Sequence, residues 1–408
     1  MTRAIIIGGG IGGLAAALAL HAKGHDVTVF EAVSSIRPLG VGINLLPHGA
    51  GVLHGLGLAD RLDRIGVRTR AIEYRTRYGH LVASDPRGIE AGFEHPQYSI
   101  HRGQLQMLLL YAVRERLGPD AVRAGMRLQE FEQDGDGVTA IFRAADERTL
   151  LVRGDLLVGA DGFHSRVRRI LHPNEGPAHA EGMMMYRGAV ERAPFGDGRT
   201  MFIAGNHDVK FVCYPISEEA RQRGRALVNW VAEVRHDRPR PATEADWADR
   251  GDRSFVDAFR GFRMPDIDIV ALMEATETVL EYPMIDRDPL ASWGQGRVTL
   301  LGDAAHPMYP IGANGASQAV VDGGALAAHL DGAGSLVDGL AAYEADRRPK
   351  TSAVVLANRQ AGPEQVLDIA DARIKGPDDR IEDLIAPHEV EAVASRYRQI
   401  AGFTRRAE

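Results

Sequence analysis

Residues 4–13 read Ala-Ile-Ile-Ile-Gly-Gly-Gly-Ile-Gly-Gly, an apolar run that turns through glycines into a stretch rich in Ala and Leu. Gly8, Gly10 and Gly13 occupy the glycine places of the G-x-G-x-x-G fingerprint of dinucleotide-binding folds. In that fingerprint the first glycine permits a tight turn, the second admits a pyrophosphate, and the third lets helix and strand pack closely. The stretch therefore predicts a strand, a turn and a helix whose N-terminus faces phosphate groups.

An acidic residue follows the next apolar run at the distance that the fingerprint requires. Glu31 ends the run Val-Thr-Val-Phe at 27–30, about 20 residues after the glycines, where a carboxylate can bond ribose hydroxyls. Glycines alone would also suit an ordinary βαβ core. The register of strand, glycines, helix, strand and acid favours a nucleotide site.

The composition is that of an ordinary globular protein. The 408 residues suffice for two domains with substantial cores, and 45% are hydrophobic and 25% charged. The formal net charge of −7 argues against general nucleic-acid binding. The single cysteine, Cys213, excludes an intrachain disulfide and favours a reducing cytoplasm. The sequence shows no leader, no apolar stretch long enough to span a membrane and no metal-binding motif, so we expect a cytoplasmic protein without membrane or metal contacts.

The nucleotide-binding pattern is interrupted by a region of different character and then resumes. Buried-strand patterns recur at 156–159 and 298–301, and an Ala/Gly-rich helix is expected from about Asn314 to Leu330. Between 183 and 281 the sequence changes to short β-like runs with aromatic and turn residues, which predicts a separate antiparallel sheet. A small-molecule site is expected in the cleft between the two parts.

We therefore predict an α/β fold in which a discontinuous Rossmann-type domain carries an inserted, mostly antiparallel β-sheet substrate domain and ends in a helical segment. The predicted boundaries are 1–75, 100–180 and 282–362 for the nucleotide-binding domain, 76–99 and 181–281 for the substrate domain, and 363–408 for the C-terminal helical tail.

Two further motifs accompany the glycine fingerprint. Residues 155–168 read Asp-Leu-Leu-Val-Gly-Ala-Asp-Gly-Phe-His-Ser-Arg-Val-Arg, and residues 302–316 read Gly-Asp-Ala-Ala-His-Pro-Met-Tyr-Pro-Ile-Gly-Ala-Asn-Gly-Ala. Together the three motifs resemble, in order, those of the single-component FAD-dependent aromatic hydroxylases (group A flavoprotein monooxygenases), and the resemblance extends over nearly the whole chain. It is strongest toward the salicylate-hydroxylase-like branch and its hydroxylases of phenazine carboxylates, through stretches that include 37–44, 96–103, 244–247 and 282–289.

The resemblance implies a chemistry as well as a fold. It implies bound FAD, NADH or NADPH as a transient co-substrate, and hydroxylation of a small aromatic substrate by molecular oxygen through a flavin C4a-hydroperoxide, with loss of carbon dioxide where the attacked carbon bears a carboxylate. The enzyme is expected to be a monomer or homodimer. One alternative is an FAD-dependent monooxygenase of the same fold that acts on another compound, such as an antibiotic or polyketide. An NAD(P)-only dehydrogenase would have no use for Gly302-Asp303, and intact glycines disfavour a non-enzymatic binding protein.

The cofactor residues implied by the motifs lie in all three segments of the nucleotide-binding domain. Asp303 follows a buried strand, where its carboxylate can accept bonds from ribityl hydroxyls, although an aspartate there can also cap a helix. Asp161 has the same two interpretations, and residues 312–315 suit either flavin-facing backbone N–H groups or a flexible loop. The cofactor-binding residues predicted are Gly8, Gly10, Gly13, Glu31, Gly42, Arg102, Asp161, Asp303, Gly312, Ala313 and Asn314.

The substrate side is less defined. The predicted wall comprises 183–187, 201–203 and 210–215, whose methionines and aromatics suit a planar aromatic slot or an ordinary sheet core. Arg187, Lys210 and Tyr214 are candidates for binding a carboxylate or phenol. Histidine side chains are common acid–base catalysts, so His306 is either a base or a structural residue. The catalytic residues predicted are Pro310, Gly312, Tyr214 and Lys210.

Overall fold

The computed structural model describes residues 1–236, 251–360, 362–386, 388–389, 392–393 and 395. Residues 244–247 of the branch resemblance, and 396–408 of the predicted helical tail, lie outside the described residues. The strands are β1 (Arg3–Ile7), β2 (Asp26–Phe30), β3 (Gly42–Leu45), β4 (Val67–Arg68), β5 (Ala71–Arg75), β6 (Leu81–Pro86), β7 (Tyr98–His101), β8 (Val122–Arg123), β9 (Met126–Gln133), β10 (Val138–Ala144), β11 (Thr149–Gly154), β12 (Leu156–Gly159), β13 (His179–Arg192), β14 (Met201–Gly205), β15 (Val209–Pro215), β16 (Ala226–Arg235), β17 (Leu280–Asp286) and β18 (Val298–Leu300).

The helices alternate with these strands in the N-terminal third and gather after β18. They are α1 (Ile11–Ala22), α2 (Pro47–Gly55), α3 (Ala59–Ile65), α4 (Arg102–Leu117), α5 (Arg166–Leu171), α6 (Glu218–Gln222), α7 (Ile269–Glu274), α8 (Gly315–Asp331), α9 (Leu336–Asn358), α10 (Gln365–Arg373) and α11 (Ile381–Leu384). Short 3₁₀ turns include Gly302–Ala304, Ile311–Ala313 and Gly362–Glu364. In the described part of the chain, no helix combines the length and apolarity needed to cross a membrane.

A five-stranded parallel sheet in the order β18-β12-β1-β2-β8 carries all three motifs at the carboxyl ends of its strands. Its central strands are apolar runs buried on both faces, with α1 packed on one side and Phe142 of β10 stacked on Phe30 of β2 on the other. The strands expected at 27–30, 156–159 and 298–301 are confirmed, as are the α/β class and the early helix.

Helices α1 and α8 pack side by side through small residues. A Cβ on Gly12 would lie 3.1 Å from the Cβ of Ala319, and a Cβ on Gly323 would lie 2.8 Å from the Cα of Ala16. Because both contacts advance along the two helices in the same direction, α1 and α8 are parallel. Their N-termini, where the helix dipoles are positive, therefore face the same end of the molecule.

A seven-stranded sheet in the order β17-β13-β16-β15-β14-β5-β6 forms the second layer, antiparallel except for the β14–β5 pair. One face packs its aromatic side chains, Trp230 among them, against residues 254–274. The other face carries Met183, Met185 and Met284 and meets Tyr309 and Ile311, which come from the returning nucleotide-binding segment. The two domains thus share a buried boundary next to the third motif.

Strand pairing moves two of the predicted boundaries. Strand β5, at 71–75, pairs with β14 and β6, so the break placed after residue 75 lies before Ala71. Strand β17, at 280–286, pairs with β13 and crosses the break placed at 281–282. Both strands have the alternating pattern of any half-buried strand, which does not reveal the sheet that it joins.

Candidate functional site

The glycine turn after β1 requires glycine at two places and leaves open space at a third. Gly8 has φ +110°, and a Cβ there would lie 2.3 Å from the carbonyl oxygen of Ala160. A Cβ on Gly13 would lie 2.1 Å from the Gly8 carbonyl oxygen, so helix and strand approach closely. No atom lies within 4 Å of a Cβ on Gly10, the residue that precedes α1. The turn is therefore tight on its protein side and open where a pyrophosphate would approach.

Glu31 braces this turn from the end of β2. Its carboxylate accepts hydrogen bonds from the backbone nitrogens of Gly9, at 2.8 Å, and Val33, at 2.9 Å. The side chain of Gln106, on α4, donates to the Gly9 carbonyl oxygen at 2.8 Å. Glu31, the residue predicted to bind ribose hydroxyls, is thus held beside the glycines by backbone N–H groups.

The two motif aspartates differ in how they are bonded. Asp161 accepts from the Ser165 hydroxyl at 2.5 Å and from the backbone nitrogens of Arg166 at 2.6 Å and Val167 at 3.2 Å, which caps α5. Within the described residues, the exposed carboxylate of Asp303 has no hydrogen-bond partner, and its Oδ1 lies 3.8 Å from a Cβ built on Gly315. The Asp303 carboxylate is thus free to accept bonds from a ligand beside the N-terminus of α8.

Arg102 begins α4, as predicted, and its positive charge acts on Asp303. The ring of His101 caps this helix, its Nδ1 accepting from the backbone nitrogen of Gly103 at 3.1 Å. Although the Asp303 carboxylate is open to solvent, the protein around it displaces part of its hydration and raises its pKa, while the charges of His306 and Arg102 oppose that rise. The Arg102 guanidinium and the Asp303 carboxylate are therefore near enough for their charges to interact.

Arg168, buried and 1% exposed, joins the second motif to the third. Its guanidinium donates to the carbonyl oxygens of Ala304 at 3.1 Å and Ala305 at 3.0 Å, and forms an ion pair with Glu175. The backbone that presents Asp303 is fixed by this buried cation.

The loop 310–315, which leads into α8, has an unusual backbone. Gly312 has φ +68° and Ala313 has φ +56°, the left-handed region that a residue with a Cβ rarely adopts. Asn314 is buried, and its side-chain nitrogen donates to the Gly312 carbonyl oxygen at 3.2 Å. The loop is therefore a defined structure, in contrast to the flexible-loop interpretation. Pro310 lies exposed at its start.

These features fit FAD. The open space at Gly10 suits a pyrophosphate, the unbonded Asp303 carboxylate suits ribityl hydroxyls, and two parallel helix N-termini suit negative charge at one end of the fold. The residues that would hold the cofactor come from the glycine turn, Glu31, Arg102, Asp303 and the loop 310–315.

Strand alternation divides the predicted substrate wall. Met183, Met185 and Arg187 point from β13 toward the loop 310–315, whereas Met184 and Tyr186 enter the aromatic core on the opposite face. The same division places Phe202, Phe211 and Cys213 in that core, away from the cleft. About half of the predicted wall is therefore sheet core, because neighbouring strand residues point to opposite faces.

Arg187 is the cation on the cleft-facing side of the sheet. It donates to the Tyr282 hydroxyl at 2.9 Å and to the carbonyl oxygen of Gly42. Its buried Nε has no hydrogen-bond partner, and within the part of the chain that the structure describes Arg187 forms no ion pair. Burial raises the pKa of Tyr214 to about 12, so its phenol is neutral at pH 7 and cannot act there as a base.

Comparison with known proteins identifies the family. The FAD binding domain family matches residues 1–358 of the chain. The chain belongs to this family. It is a flavoprotein hydroxylase with FAD as its cofactor, which confirms both predictions.

Individual relatives of this flavoprotein extend the comparison. It is 46% identical over 363 residues to the phenazine 1,6-dicarboxylic acid hydroxylase PhzS of Lysobacter antibioticus, covering 88% of this chain and 89% of that protein. It is 32% identical over 368 residues to the 6-hydroxynicotinate 3-monooxygenase of Pseudomonas fluorescens, covering 86% and 89%. Its structure matches Klebsiella pneumoniae HpxO complexed with FAD and uric acid, with a TM-score of 0.74 and 25% identity, over 98% and 92% of the two chains.

The structure gives Lys210 a different role from the catalytic one predicted. Lys210 is 3% exposed and forms ion pairs with Glu233, at 2.8 Å, and with Glu364. Burial lowers its pKa, but the two carboxylates outweigh burial and hold the pKa above its usual range. The ammonium keeps its proton and is covered by protein, so it has no access to a substrate as a base.

His306 is structural in this flavoprotein. Its ring is 3% exposed and bonds Asp322 at 2.6 Å. Asp322 also accepts from the backbone nitrogen of Gly302 at 3.0 Å and from Arg347 at 2.8 Å. This buried network fixes the turn that carries Asp303 and leaves the histidine away from the cleft.

Gly42, predicted to bind the cofactor, packs closely against the substrate domain. Its backbone nitrogen donates to Asn229 at 2.7 Å, and a Cβ there would lie 2.6 Å from Ile216. Its small size is explained by this domain contact, and contact with FAD stays a prediction.

Sequence reasoning missed Glu233, Glu364 and Asn229 as members of the domain boundary. Glu364 lies in a charged segment that suggested a surface helix, and Glu233 alternates in a strand like any polar residue. A buried partner 154 residues away from Lys210 leaves no local signal.

Proposed function

We propose that this flavoprotein hydroxylates a planar aromatic or heteroaromatic carboxylate whose carboxylate binds Arg187. The observation that carries the proposal is a half-buried guanidinium with neutral partners and a buried, unbonded Nε on the cleft-facing sheet. A buried cation is costly unless it is paired, and a substrate carboxylate supplies the missing negative charge.

The surroundings of Arg187 suit a flat ring. Met183, Met185 and Met284 form an adaptable apolar surface beside Tyr282. Arg187 donates to the phenol oxygen of Tyr282, and its charge also interacts with the Tyr214 phenol, so two aromatic side chains stand beside the guanidinium. Three relatives are named for aromatic acids: a phenazine dicarboxylic acid, 6-hydroxynicotinate and 3-amino-4-hydroxybenzoate.

The reaction consumes an aromatic C–H group, oxygen and NAD(P)H with a proton, and yields the hydroxylated ring, water and NAD(P)⁺. FAD, when bound, accepts hydride from NAD(P)H and activates oxygen. The chain's part is to orient the ring through Arg187 and to exclude water with the methionine surface. The loop 310–315 and the N-terminus of α8 would offer N–H dipoles that stabilise negative charge on bound FAD.

We also infer a cytoplasmic enzyme that acts as a monomer or homodimer on a small substrate and oxygen. Support for the compartment comes from the single cysteine, which is buried in the aromatic core. Pro310 and Gly312 are proposed to border the reacting ring because they begin the loop that meets the methionine surface.

Replacement of Arg187 tests the proposal directly. We expect Arg187→Gln to lower kcat/KM for phenazine-1-carboxylate and 6-hydroxynicotinate by roughly 100-fold, mainly through KM, because a charge-assisted bond to substrate is lost. Arg192→Gln is the matched control, since Arg192 ends the same strand with its side chain on the opposite face. Equal kinetics for the Arg187 variant and the unaltered enzyme would exclude Arg187 as the carboxylate anchor.

A further inference from the structure

We propose that the side-chain amide of Asn229 is a second substrate-binding group beside Arg187: the Asn229 Nδ2 and the Arg187 Nε donate to the two oxygens of one substrate carboxylate. This role rests on the proposed function and deepens it, because it names the residue with which the anchor distinguishes a carboxylate from other polar groups on the same ring.

Asn229 and Arg187 lie on the same face of two neighbouring strands. In the antiparallel pairing of β13 with β16, Arg187 is opposite Val231 and Ala189 is opposite Asn229. The two residues are therefore diagonal neighbours, a relation that places Cα atoms about 7–8 Å apart and within reach of a long side chain. The amide and the guanidinium thus share one part of the cleft-facing sheet.

Both side chains converge on Gly42, at the start of β3 in the nucleotide-binding domain. The Gly42 N–H donates to the Asn229 Oδ1 at 2.7 Å, and the Arg187 Nη2 donates to the Gly42 carbonyl oxygen. A Cβ on residue 42 would lie 2.7 Å from the Cβ and Cγ of Asn229, so glycine permits an approach that a larger residue would block. Because both bonds end on one residue, the amide and the guanidinium are held side by side.

Each of these two side chains keeps a buried donor that has no hydrogen-bond partner among the described residues, Nδ2 of Asn229 and Nε of Arg187. The bond from the Gly42 N–H identifies the amide oxygen of Asn229, so the atom left without a partner is the nitrogen. A buried donor without an acceptor is costly, and native structures rarely contain two together. Two adjacent donors therefore suit a ligand that offers two acceptor atoms.

The pair distinguishes between substituents that differ little in size. A carboxylate presents an acceptor oxygen to each donor, whereas a carboxamide presents one oxygen and one NH₂ group. The NH₂ group would face an N–H donor, and that contact leaves both groups unpaired. Since Arg187 is half-buried and Asn229 is fully buried, a substrate oxygen reaches the amide past the guanidinium.

The test measures the Kd values of phenazine-1-carboxylate and phenazine-1-carboxamide by isothermal titration of the FAD-loaded full-length protein without NAD(P)H. Asn229→Asp retains the acceptor for the Gly42 N–H and replaces the donor by an acceptor, whereas Asn229→Ala removes both. Asn206→Asp is the matched control, because the Asn206 Oδ1 also accepts backbone N–H groups, those of Asp208 and Val209, in the turn before β15.

We expect the unaltered protein to bind the carboxylate about 100-fold more tightly than the carboxamide. Asn229→Asp should weaken carboxylate binding by about 100-fold, because the new carboxylate pairs with Arg187, and should leave carboxamide binding at least as tight. Asn229→Ala should weaken carboxylate binding by about tenfold and carboxamide binding little. Asn206→Asp should change neither Kd.

Equal weakening of both ligands by Asn229→Asp would make Asn229 a structural residue only and overturn the proposal. If Asn229→Asp does not fold, Asn229→Ala decides, and an unchanged ratio of the two Kd values is the contradicting result. Arg187→Gln separates the two proposals. If it abolishes the preference for the carboxylate while the Asn229 variants retain it, the role of Asn229 alone is wrong; if Arg187→Gln also retains it, the proposed function fails as well.

Discussion

At the scale of single residues, two motif aspartates that each follow a buried strand have different bonding. Both carboxylate oxygens of Asp161 accept hydrogen bonds from groups at the start of α5. The Asp303 carboxylate is exposed and has no hydrogen-bond partner in the described residues. A carboxylate already bonded by backbone N–H groups stabilises its helix, and one without partners is available to a ligand. The two residues therefore form a matched pair for mutation.

We expect Asp303→Ala to leave the fold intact and to weaken FAD binding by roughly 10- to 100-fold, the value of hydrogen bonds to a charged group. Isothermal titration of the flavin-free protein with FAD, together with its circular dichroism spectrum, measures both effects. A lower melting temperature with unchanged FAD affinity would instead make Asp303 a structural cap.

Asp161→Ala should show the opposite behaviour. Loss of the cap on α5 should lower the free energy of unfolding by about 1 kcal/mol. We expect the same titration to give a smaller change in FAD affinity than Asp303→Ala. If Asp161→Ala loses FAD as strongly as Asp303→Ala, Asp161 contacts the cofactor despite its capping bonds.

At the scale of elements, β13 shows how one strand serves both a core and a cleft. Met184 and Tyr186 lie in the aromatic core, and Met183, Met185 and Arg187 face the nucleotide-binding domain. The alternation follows from strand geometry, and the direction of each set is decided by the layer that covers it.

Neighbouring methionines on this strand should therefore give different phenotypes. We expect Met184→Ala and Met185→Ala each to lower the free energy of unfolding by about 2–5 kcal/mol, because both side chains are buried. Met185→Ala alone should also raise KM for the aromatic substrate, by about tenfold. Denaturant unfolding and steady-state kinetics separate the two effects. An unchanged KM in Met185→Ala would remove β13 from the substrate wall.

Helix α2 makes the stability of the fold sensitive to acid. Burial, reinforced by the charge of Arg347, lowers the pKa of His48 from 6.5 to about 4. Between these values the unfolded chain binds a proton at His48 that the folded chain does not, so stability is present above pH 6.5 and is lost toward pH 4. The slope from this one group is at most about 1.4 kcal/mol per pH unit.

Replacement of His48 isolates this contribution. We expect His48→Gln to show a shallower decline in the free energy of unfolding between pH 6.5 and 4 than the unaltered protein, as measured by urea titrations. Parallel curves for the two proteins would show that His48 is protonated equally in the folded and unfolded states.

At the scale of the whole molecule, what sequence predicts best is local. The turn at Gly8 and the strand-to-helix passage at 298–330 depend on neighbouring residues, and the structure has them within one or two positions. The family resemblance rests on the same segments and is confirmed.

What sequence does not predict depends on distant partners. Lys210 was expected to act on substrate, but Glu233 and Glu364 bury it as an ion pair. The place of β5 in the seven-stranded sheet depends on pairing with β14, about 130 residues further along the chain. Glu364 belongs to the predicted C-terminal helical tail, and only the folded chain brings it to Lys210.

We propose that the two domains together hydroxylate an aromatic carboxylate. The most direct measurement is NADH and NADPH consumption by the FAD-loaded protein with phenazine-1-carboxylate, 6-hydroxynicotinate and salicylate, beside the same rings without the carboxylate, with products identified by mass spectrometry. We predict that the carboxylates stimulate oxidation and yield a product that gains an oxygen atom or exchanges its carboxylate for a hydroxyl, whereas the rings without it do not. Oxidation equally slow with every compound, and no oxygenated product, would contradict the claim.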